Sequence, residues 1–213
     1  GRAAGALFFA VNNAYRLHKG FDALYSCDLG WWKVHEAGCR GIGLRITQDR
    51  RAQALDPEIR RVRALPGTRV IMTARYGEIG FGGNSGFQAV NLAVQFGAKR
   101  IVLVGFDFHQ RLGTHWHGDH DRGAGLKNPQ QRTLDGWRLN FDANAPIFEE
   151  LGIEVILGTS ESALQNYPVR DLEELLDEIA QERAASGGEP GREASHGPAR
   201  DADGGEPGRS AAA

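Results

Sequence analysis

Short, continuous runs of apolar residues, each ended by polar residues or glycine, recur along the chain. The clearest lie at residues 6–11, 22–27, 100–106 and 153–158, and weaker runs lie at 41–46 and 68–73. Apolar runs without polar alternation are typical of strands covered on both faces, as in a parallel sheet. We therefore predict a strand in each of these six stretches.

Helical patterns lie between most of the predicted strands. After Ser85, small and apolar residues repeat at helical spacing, at Val90, Ala93, Val94 and Gly97. Ser85 is the predicted N-cap of this helix, and Gly97 is its predicted C-terminal stop. Strands that alternate with helices predict an α/β fold, here a Rossmann-like, doubly wound and mostly parallel sheet.

Two further helices are predicted towards the C-terminus. The first contains Trp137, Phe141, Phe148 and Leu151, and Pro146 is expected to kink or restart it. The second is amphipathic, covers residues 170–183 and carries acidic residues near its start, which favours a helix N-terminus. Both fit the layer of helices that an α/β sheet requires.

Polar residues directly follow several of the predicted strands. They are Asn12, Asn13, Asp28, Asp107, Thr159 and Ser160. In open parallel sheets, ligands bind outside the carboxyl ends of the strands. We therefore expect these side chains to converge on one cleft. For Asn12, Asn13, Asp28 and Asp107, a role only in a turn is the alternative.

The glycine-rich stretch GFGGNSGFQAV at residues 80–90 opens onto the predicted helix. Free backbone N–H groups at a helix start favour an anion such as phosphate, which makes Gly83, Asn84, Ser85 and Gly86 candidate ligand contacts. The stretch has neither the Gly-Lys-Ser/Thr of a P-loop nor a clean G-x-G-x-x-G pattern. A tight turn in which Ser85 only caps the helix is the alternative.

Composition separates the last 28 residues from the rest of the chain. Residues 186–213 consist mostly of Gly, Ala, Pro and Ser and contain no aromatic or branched aliphatic residue, which predicts a disordered tail behind a single domain at residues 1–185. Three basic and five acidic residues fall in that tail, so the domain carries 22 of each. A charge-neutral domain argues against a nucleic acid as partner.

Cysteine content and hydropathy indicate a cytoplasmic protein. The two cysteines, Cys27 and Cys39, do not form a C-x-x-C pair, so neither a disulfide scaffold nor a cysteine zinc site is indicated. No apolar run has the length of a membrane span, and no signal peptide pattern opens the sequence. Assembly into a homo-oligomer stays open.

Residues 113–123, GTHWHGDHDRG, place three histidines and two aspartates close together. The pattern His-x-His-x-Asp-His is the ligand signature of metallo-β-lactamase-type hydrolases. Their two-metal site needs further histidines, but after His120 only His196, in the tail, remains. A single zinc on His115, His117 and His120 is one alternative. We favour a metal-free role, in which a histidine acts as general base or acid.

Residues 82–110, GGNSGFQAVNLAVQFGAKRIVLVGFDFHQ, resemble the bacterial sialyltransferases of glycosyltransferase family 42. The likeness extends to VNNAY (11–15), CDLGWW (27–32), THW (114–116) and IEVILGTSESALQNYP (153–168). The chain is also similar to uncharacterised phage and prophage proteins that carry the same HWHGDH loop. More distantly, it is similar to the 6-hydroxymethylpterin diphosphokinase-like family.

The sialyltransferase resemblance implies a nucleotide sugar, typically CMP-linked, as donor and a glycan or small molecule as acceptor. Asn12, Asp28 and Ser85 match residues that hold the nucleotide. His109 stands where the family often has a tyrosine that stabilises the departing phosphate, and His115 matches the histidine that removes the acceptor proton. No cofactor is implied, because hydrogen bonds and fixed dipoles can stabilise this leaving group.

The family begins with a strand and a Gly/Ser-rich loop ahead of the strand matched by residues 6–11, so we expect this chain to lack its first strand. Three other functions stay open. A diphosphokinase-like pyrophosphoryl transferase would use ATP with Mg²⁺ at Asp107. A hydrolase would use Zn²⁺ on the histidines of residues 113–123. A phage-associated module would bind a nucleotide without catalysis.

Overall fold

The computed structural model describes residues 6–18, 20–111, 113, 118, 126 and 128–185. In these residues the chain forms eight short strands and six α-helices. The strands are β1 (Phe9–Val11), β2 (Ala23–Tyr25), β3 (Leu44–Thr47), β4 (Arg60–Arg61), β5 (Arg63–Leu65), β6 (Glu78–Gly80), β7 (Arg100–Leu103) and β8 (Glu154–Leu157). The helices are α1 (Leu29–His35), α2 (Arg50–Gln53), α3 (Ser85–Gln95), α4 (Gln131–Asp142), α5 (Ala145–Glu150) and α6 (Leu172–Ala185).

Every strand pair among the described residues is parallel. β1, β2, β3 and β4 form one sheet in that order, β5 pairs with β6, and β7 pairs with β8. The apolar runs that lack polar alternation therefore predict the parallel pairing correctly, and the protein is a mixed α/β structure. The strands lie in three small sheets instead of one continuous sheet.

Helix α3 lies between these sheets and is apolar on both sides. Phe87, Val90 and Val94 belong to a hydrophobic cluster that also contains the core residues of β7 and β8. Ala89 and Leu92 belong to a second cluster, built on β2, β3 and β6. Because both faces of α3 are covered, this helix fixes the position of the other elements around it.

A third cluster joins α1 to β1 and β2. Trp31 and Trp32 are almost completely buried in it. Their indole N–H groups still find acceptors, because Trp31 donates to Asn13 Oδ1 at 2.6 Å and Trp32 donates to the Ser26 carbonyl at 3.0 Å. The two rings thus hold α1 against the ends of two neighbouring strands.

Five of the six predicted strands are confirmed, and the prediction at residues 68–73 is wrong. Side-chain amides hold that segment instead of a neighbouring strand: Ile71 N–H donates to Asn144 Oδ1 at 2.9 Å, and Met72 N–H donates to Asn91 Oδ1 at 3.0 Å. The neighbouring strands β4, β5 and β6 were not predicted. Arginine-rich β4 and β5 show no apolar run, and β6 is three residues long.

The predicted N-cap of α3 is displaced by one residue. Asn84 caps the helix, because its side chain accepts a hydrogen bond from Phe87 N–H at 2.8 Å, and Ser85 is the first helical residue. The hydroxyl of Ser85 is therefore available for a contact outside the helix. As predicted, the helical region that contains Pro146 is split in two, and Pro146 lies in the first turn of α5.

Some predictions fall on other parts of the chain. The predicted disordered tail, residues 186–213, lies outside the described residues, and so do His115, His117 and His120. Within the described part, no helix has both the length and the apolar character needed to cross a bilayer.

The buried amide of Asn91 provides a test of how α3 holds the structure together. It accepts hydrogen bonds from Met72 N–H and Gly80 N–H and donates to the Met72 carbonyl. Asn91→Ala would leave the N–H groups of Met72 and Gly80 unpaired, whereas the Met72 carbonyl keeps a second donor, Gln95 Nε2 at 3.1 Å. We therefore expect a loss of about 2–5 kcal/mol in the free energy of unfolding, measured with urea. Leu139→Ala on α4, at a side chain that is 58% exposed, should cost less than about 1 kcal/mol. Similar losses for the two variants would contradict this role of Asn91.

Candidate functional site

The first turn of α3 meets the end of β2. The buried hydroxyl of Ser85 accepts a hydrogen bond from Cys27 N–H at 3.1 Å and donates to Cys27 Sγ, also at 3.1 Å. These contacts join residues that are 58 positions apart in the sequence. The structure thus brings Ser85 to the strand end that precedes Asp28, as expected for a cleft at the carboxyl ends of the strands.

The segment after β7 reaches the same end of α3. A Cβ atom at Gly86 would lie only 2.9 Å from Phe106 Cε1, so the aromatic ring packs directly on the glycine backbone. Phe106 precedes Asp107, whose carbonyl accepts a hydrogen bond from Ala163 N–H at 2.8 Å. The ends of β2 and β7 therefore both contact the start of α3, and the backbone of Asp107 lies next to one of these contacts.

Cys27 links the hydroxyl of Ser85 to the carboxylate of Asp28. Its thiol donates to Asp28 Oδ2 at 3.2 Å. Burial, followed by the negative charge of Asp28, raises the pKa of Cys27 to about 12. The thiol is thus protonated at neutral pH and acts as a hydrogen-bonding group instead of a nucleophile. Sequence reasoning missed this residue, although its position directly after a buried strand marks it as a candidate.

Tyr25 lies beneath this group of residues, at the end of β2. Its hydroxyl donates to Gln88 Oε1 on α3 at 2.8 Å, and burial strongly raises the pKa of the tyrosine. Gln88 in turn donates to the Phe81 carbonyl at 2.7 Å. This chain of buried hydrogen bonds fixes α3 and the glycine-rich stretch relative to β2.

Two buried oxygens at the ends of β1 and β2 find no hydrogen-bond partner among the described residues. They are Asn12 Oδ1 and Ser26 Oγ. Because Val11 pairs with Tyr25 in the parallel register, Asn12 and Ser26 are the next residues along two adjacent strands. A buried polar group without a partner is costly, so such a pair indicates a water molecule or a ligand.

The two predicted asparagines differ in their surroundings. Asn13 is buried, and its side-chain oxygen accepts from the indole of Trp31, which gives it a structural role. Asn12 has a φ of 49°, a left-handed conformation that is uncommon for any residue other than glycine. Of the two, Asn12 has the amide oxygen that is left for a ligand.

Both ring nitrogens of His109 have hydrogen-bond partners in the protein. Its Nε2 bonds the Glu161 carbonyl, which can only accept, so Nε2 carries the proton, and Nδ1 accepts from Arg111 N–H at 3.2 Å. The histidine thereby fastens the segment after β7 to the segment after β8. A phosphate could bond His109 only by replacing one of these partners.

Thr159 and Ser160 line a separate depression of about 490 Å³ at the start of α6. Its other lining residues are Gly158, Val169, Arg170, Asp171, Leu172 and Glu173. The hydroxyl of Thr159 accepts from Glu161 N–H at 3.2 Å. Among the described strands, β8 pairs only with β7.

Neither a metal site nor a comparison with known proteins adds to the functional assignment. Within the described part of the chain, no three His, Cys, Asp or Glu side chains come close enough to hold a metal ion. Compared with protein-family models, curated proteins and solved structures, the chain matches none of them. The geometry at the start of α3 is therefore the basis for the functional assignment.

The raised pKa of Cys27 predicts a loss of stability at alkaline pH. An unfolded thiol ionises near its ordinary pKa of 9.0, whereas the folded one ionises near 12, so the unfolded state is favoured progressively as pH rises through this window. Between about pH 9 and pH 11, the free energy of unfolding, measured by urea denaturation, should fall less steeply with pH in Cys27→Ala than in the unchanged protein. The slopes should differ by up to about 1.4 kcal/mol per pH unit.

Asn84→Ala serves as the control for this experiment, because it alters the same helix end without removing a titrating group. Its free energy of unfolding should be lower than that of the unchanged protein by the same amount at every pH. If Cys27→Ala gives the same pH dependence as the unchanged protein, the thiol does not have the raised pKa described above.

Proposed function

We propose that this chain is a nucleotide-sugar-dependent glycosyltransferase of Rossmann-like fold that binds its donor at the carboxyl ends of β1 and β2. One observation carries the proposal: two adjacent strand ends hold the unpartnered oxygens of Asn12 and Ser26, next to the start of α3. In parallel α/β proteins this is the edge at which nucleotides bind.

The first turn of α3 supplies groups that suit a phosphate. The first N–H groups of a helix lack intrahelical partners, and Asn84 satisfies only that of Phe87, which leaves those of Ser85 and Gly86. Gly83, just ahead of the helix, has a φ of 85°, and a Cβ there would lie 2.9 Å from Trp137 Nε1. Only glycine allows the backbone to adopt this conformation with Trp137 at such close range, so Gly83 fixes the course of the chain into the helix.

The groups at the strand ends suit the nucleoside part of the donor. Asn12 Oδ1 and the carboxylate of Asp28 are acceptors, and Ser26 Oγ can accept or donate. Ribose hydroxyls and the exocyclic amine of a base such as cytosine provide the donors that these oxygens lack. A buried acceptor that is satisfied only in the complex contributes to specificity, because a ligand without the matching donor leaves it unpaired.

The transfer itself needs a base and a stabilised leaving group. In the proposed reaction, His115 removes the proton of an acceptor hydroxyl, the acceptor oxygen bonds the anomeric carbon, and the bond from that carbon to the nucleotide phosphate breaks. The phosphate leaves with the bonding electrons and is stabilised by N–H donors and the dipole of α3. His115 lies outside the described residues, so its role remains a prediction.

Calorimetric titration with CMP, CDP, ATP and GTP, without added metal, tests the nucleotide site. We expect CMP or CDP to bind best, and we expect Asn12→Gly to weaken that binding at least about tenfold, because it removes an oxygen that is otherwise satisfied only by the ligand. Glycine tolerates the φ of 49° at this position, so the backbone should be preserved. Lys99→Ala removes an exposed charge before β7 and serves as the control, with unchanged affinity.

Turnover separates the proposed transferase from other nucleotide-binding proteins. With a CMP-sugar and an acceptor, His115→Ala should abolish transfer and leave CMP affinity unchanged. ATP binding that requires Mg²⁺ would instead support a pyrophosphoryl transferase. If none of the four nucleotides binds, the proposal is wrong.

A further inference from the structure

A groove opens at the other end of α3, where no part of the proposed nucleotide site lies. Its apolar floor consists of Leu44 and Ile46 of β3, Val62 and Leu92, and it encloses about 270 Å³. The remaining lining residues are Arg60, Arg61, Tyr76, Gly77, Gln95 and Phe96. The groove is lined by Leu92 and Gln95 of α3, which lie about 10 and 15 Å along the helix axis from Ser85 at the proposed nucleotide site.

Exposed aromatic rings form the rim of this groove. Tyr76 is 77% exposed and Phe96 is 37% exposed, and their ring centroids lie 6.3 Å apart. Phe9 stacks on Phe96, with ring centroids 6.2 Å apart. Apolar and aromatic surface that stays open to solvent beside a concave apolar floor is typical of a contact site.

The groove is also basic, although the domain as a whole is neutral. Two arginines, Arg60 and Arg61, and no acidic residue line it. Arg63 and Arg75 pair with Glu78, at 2.9 and 3.6 Å. Arg60 forms no ion pair with any described residue, and its register partner in β3 is Ile46, which places both side chains on the same face of the sheet. A free guanidinium therefore lies beside the apolar floor.

We propose that this groove binds an acidic segment of a partner protein, with one apolar side chain on the floor and a flanking carboxylate on Arg60. Two observations select this occupant. The floor is aliphatic and concave, which suits an inserted side chain better than a stacked base. The guanidinium matches a carboxylate in charge and geometry.

The tail of the chain is a poor occupant on composition alone. Residues 186–213 carry five acidic residues but no aromatic or branched aliphatic side chain that could fill the apolar floor. The first five residues, GRAAG, contain no acidic residue and no large apolar one. Neither of these segments combines a large apolar side chain with acidic residues, as the groove requires.

Fluorescence anisotropy with a labelled short peptide tests the groove directly. The peptide has one phenylalanine between two pairs of acidic residues, and it is compared with a version carrying serine for phenylalanine and a version carrying amides for the acids. We expect binding of the first peptide only, weaker at higher salt because the contact is partly ionic.

Variants of the protein connect this binding to the groove. Arg60→Glu should weaken binding at least about tenfold, because the carboxylate then faces a like charge. Tyr76→Ser, at an exposed position, should also weaken it without affecting the fold, which circular dichroism checks. Arg132→Glu makes the same charge change at an exposed position on α4 and should leave the affinity unchanged.

Three results would overturn the proposal. The first is absence of peptide binding up to about 1 mM, the weak limit for a specific contact of this size. The second is equal binding of the phenylalanine and serine peptides, since the apolar floor would then play no part. The third is tighter binding of a labelled oligothymidylate that is lost in Arg60→Glu, which would make the groove a nucleic-acid site.

Discussion

Burial of α3 on both of its sides is the constraint on which the rest of this structure depends. Phe87 is fully buried against the elements around β7 and β8, and Leu92 is 2% exposed against β2, β3 and β6. A helix covered on both sides cannot shift without opening one of its two interfaces. Its first turn is thereby fixed between the ends of β2 and β7, where Ser85 contacts Cys27 and Gly86 contacts Phe106.

The same burial accounts for the polar residues of α3. Gln88 and Asn91 cannot reach solvent, so their amides bond the hydroxyl of Tyr25 and the backbone of Met72. These hydrogen bonds replace strand pairing in the segment that precedes β6. The buried amides of Gln88 and Asn91 thus have hydrogen-bond partners, whereas Asn12 Oδ1 and Ser26 Oγ have none among the described residues. These two oxygens give the proposed ligand site its clearest support.

The two ends of α3 offer different chemistry because different segments of the chain surround them. Its N-terminal end combines free N–H groups with polar strand ends, which favours an anion bonded to a nucleoside. Its C-terminal end is surrounded by the first residues of β3 and β4, which contribute aliphatic side chains and Arg60. One rigid helix thus separates a proposed substrate site from a proposed docking groove, so each can be altered by mutation without the other.

The sequence by itself determined the elements that depend on local pattern. Continuous apolar runs located β1, β2, β3, β7 and β8 and their parallel direction, and helical spacing located α3 and the restart at Pro146. Only the tertiary structure decided which side chains meet. Ser85 hydrogen-bonds Cys27 instead of capping its helix, His109 bonds the segment after β8, and residues 68–73 bond side-chain amides. Periodicity records which positions are buried, whereas the choice of a hydrogen-bond partner depends on chain segments that are far apart in sequence and adjacent only after folding.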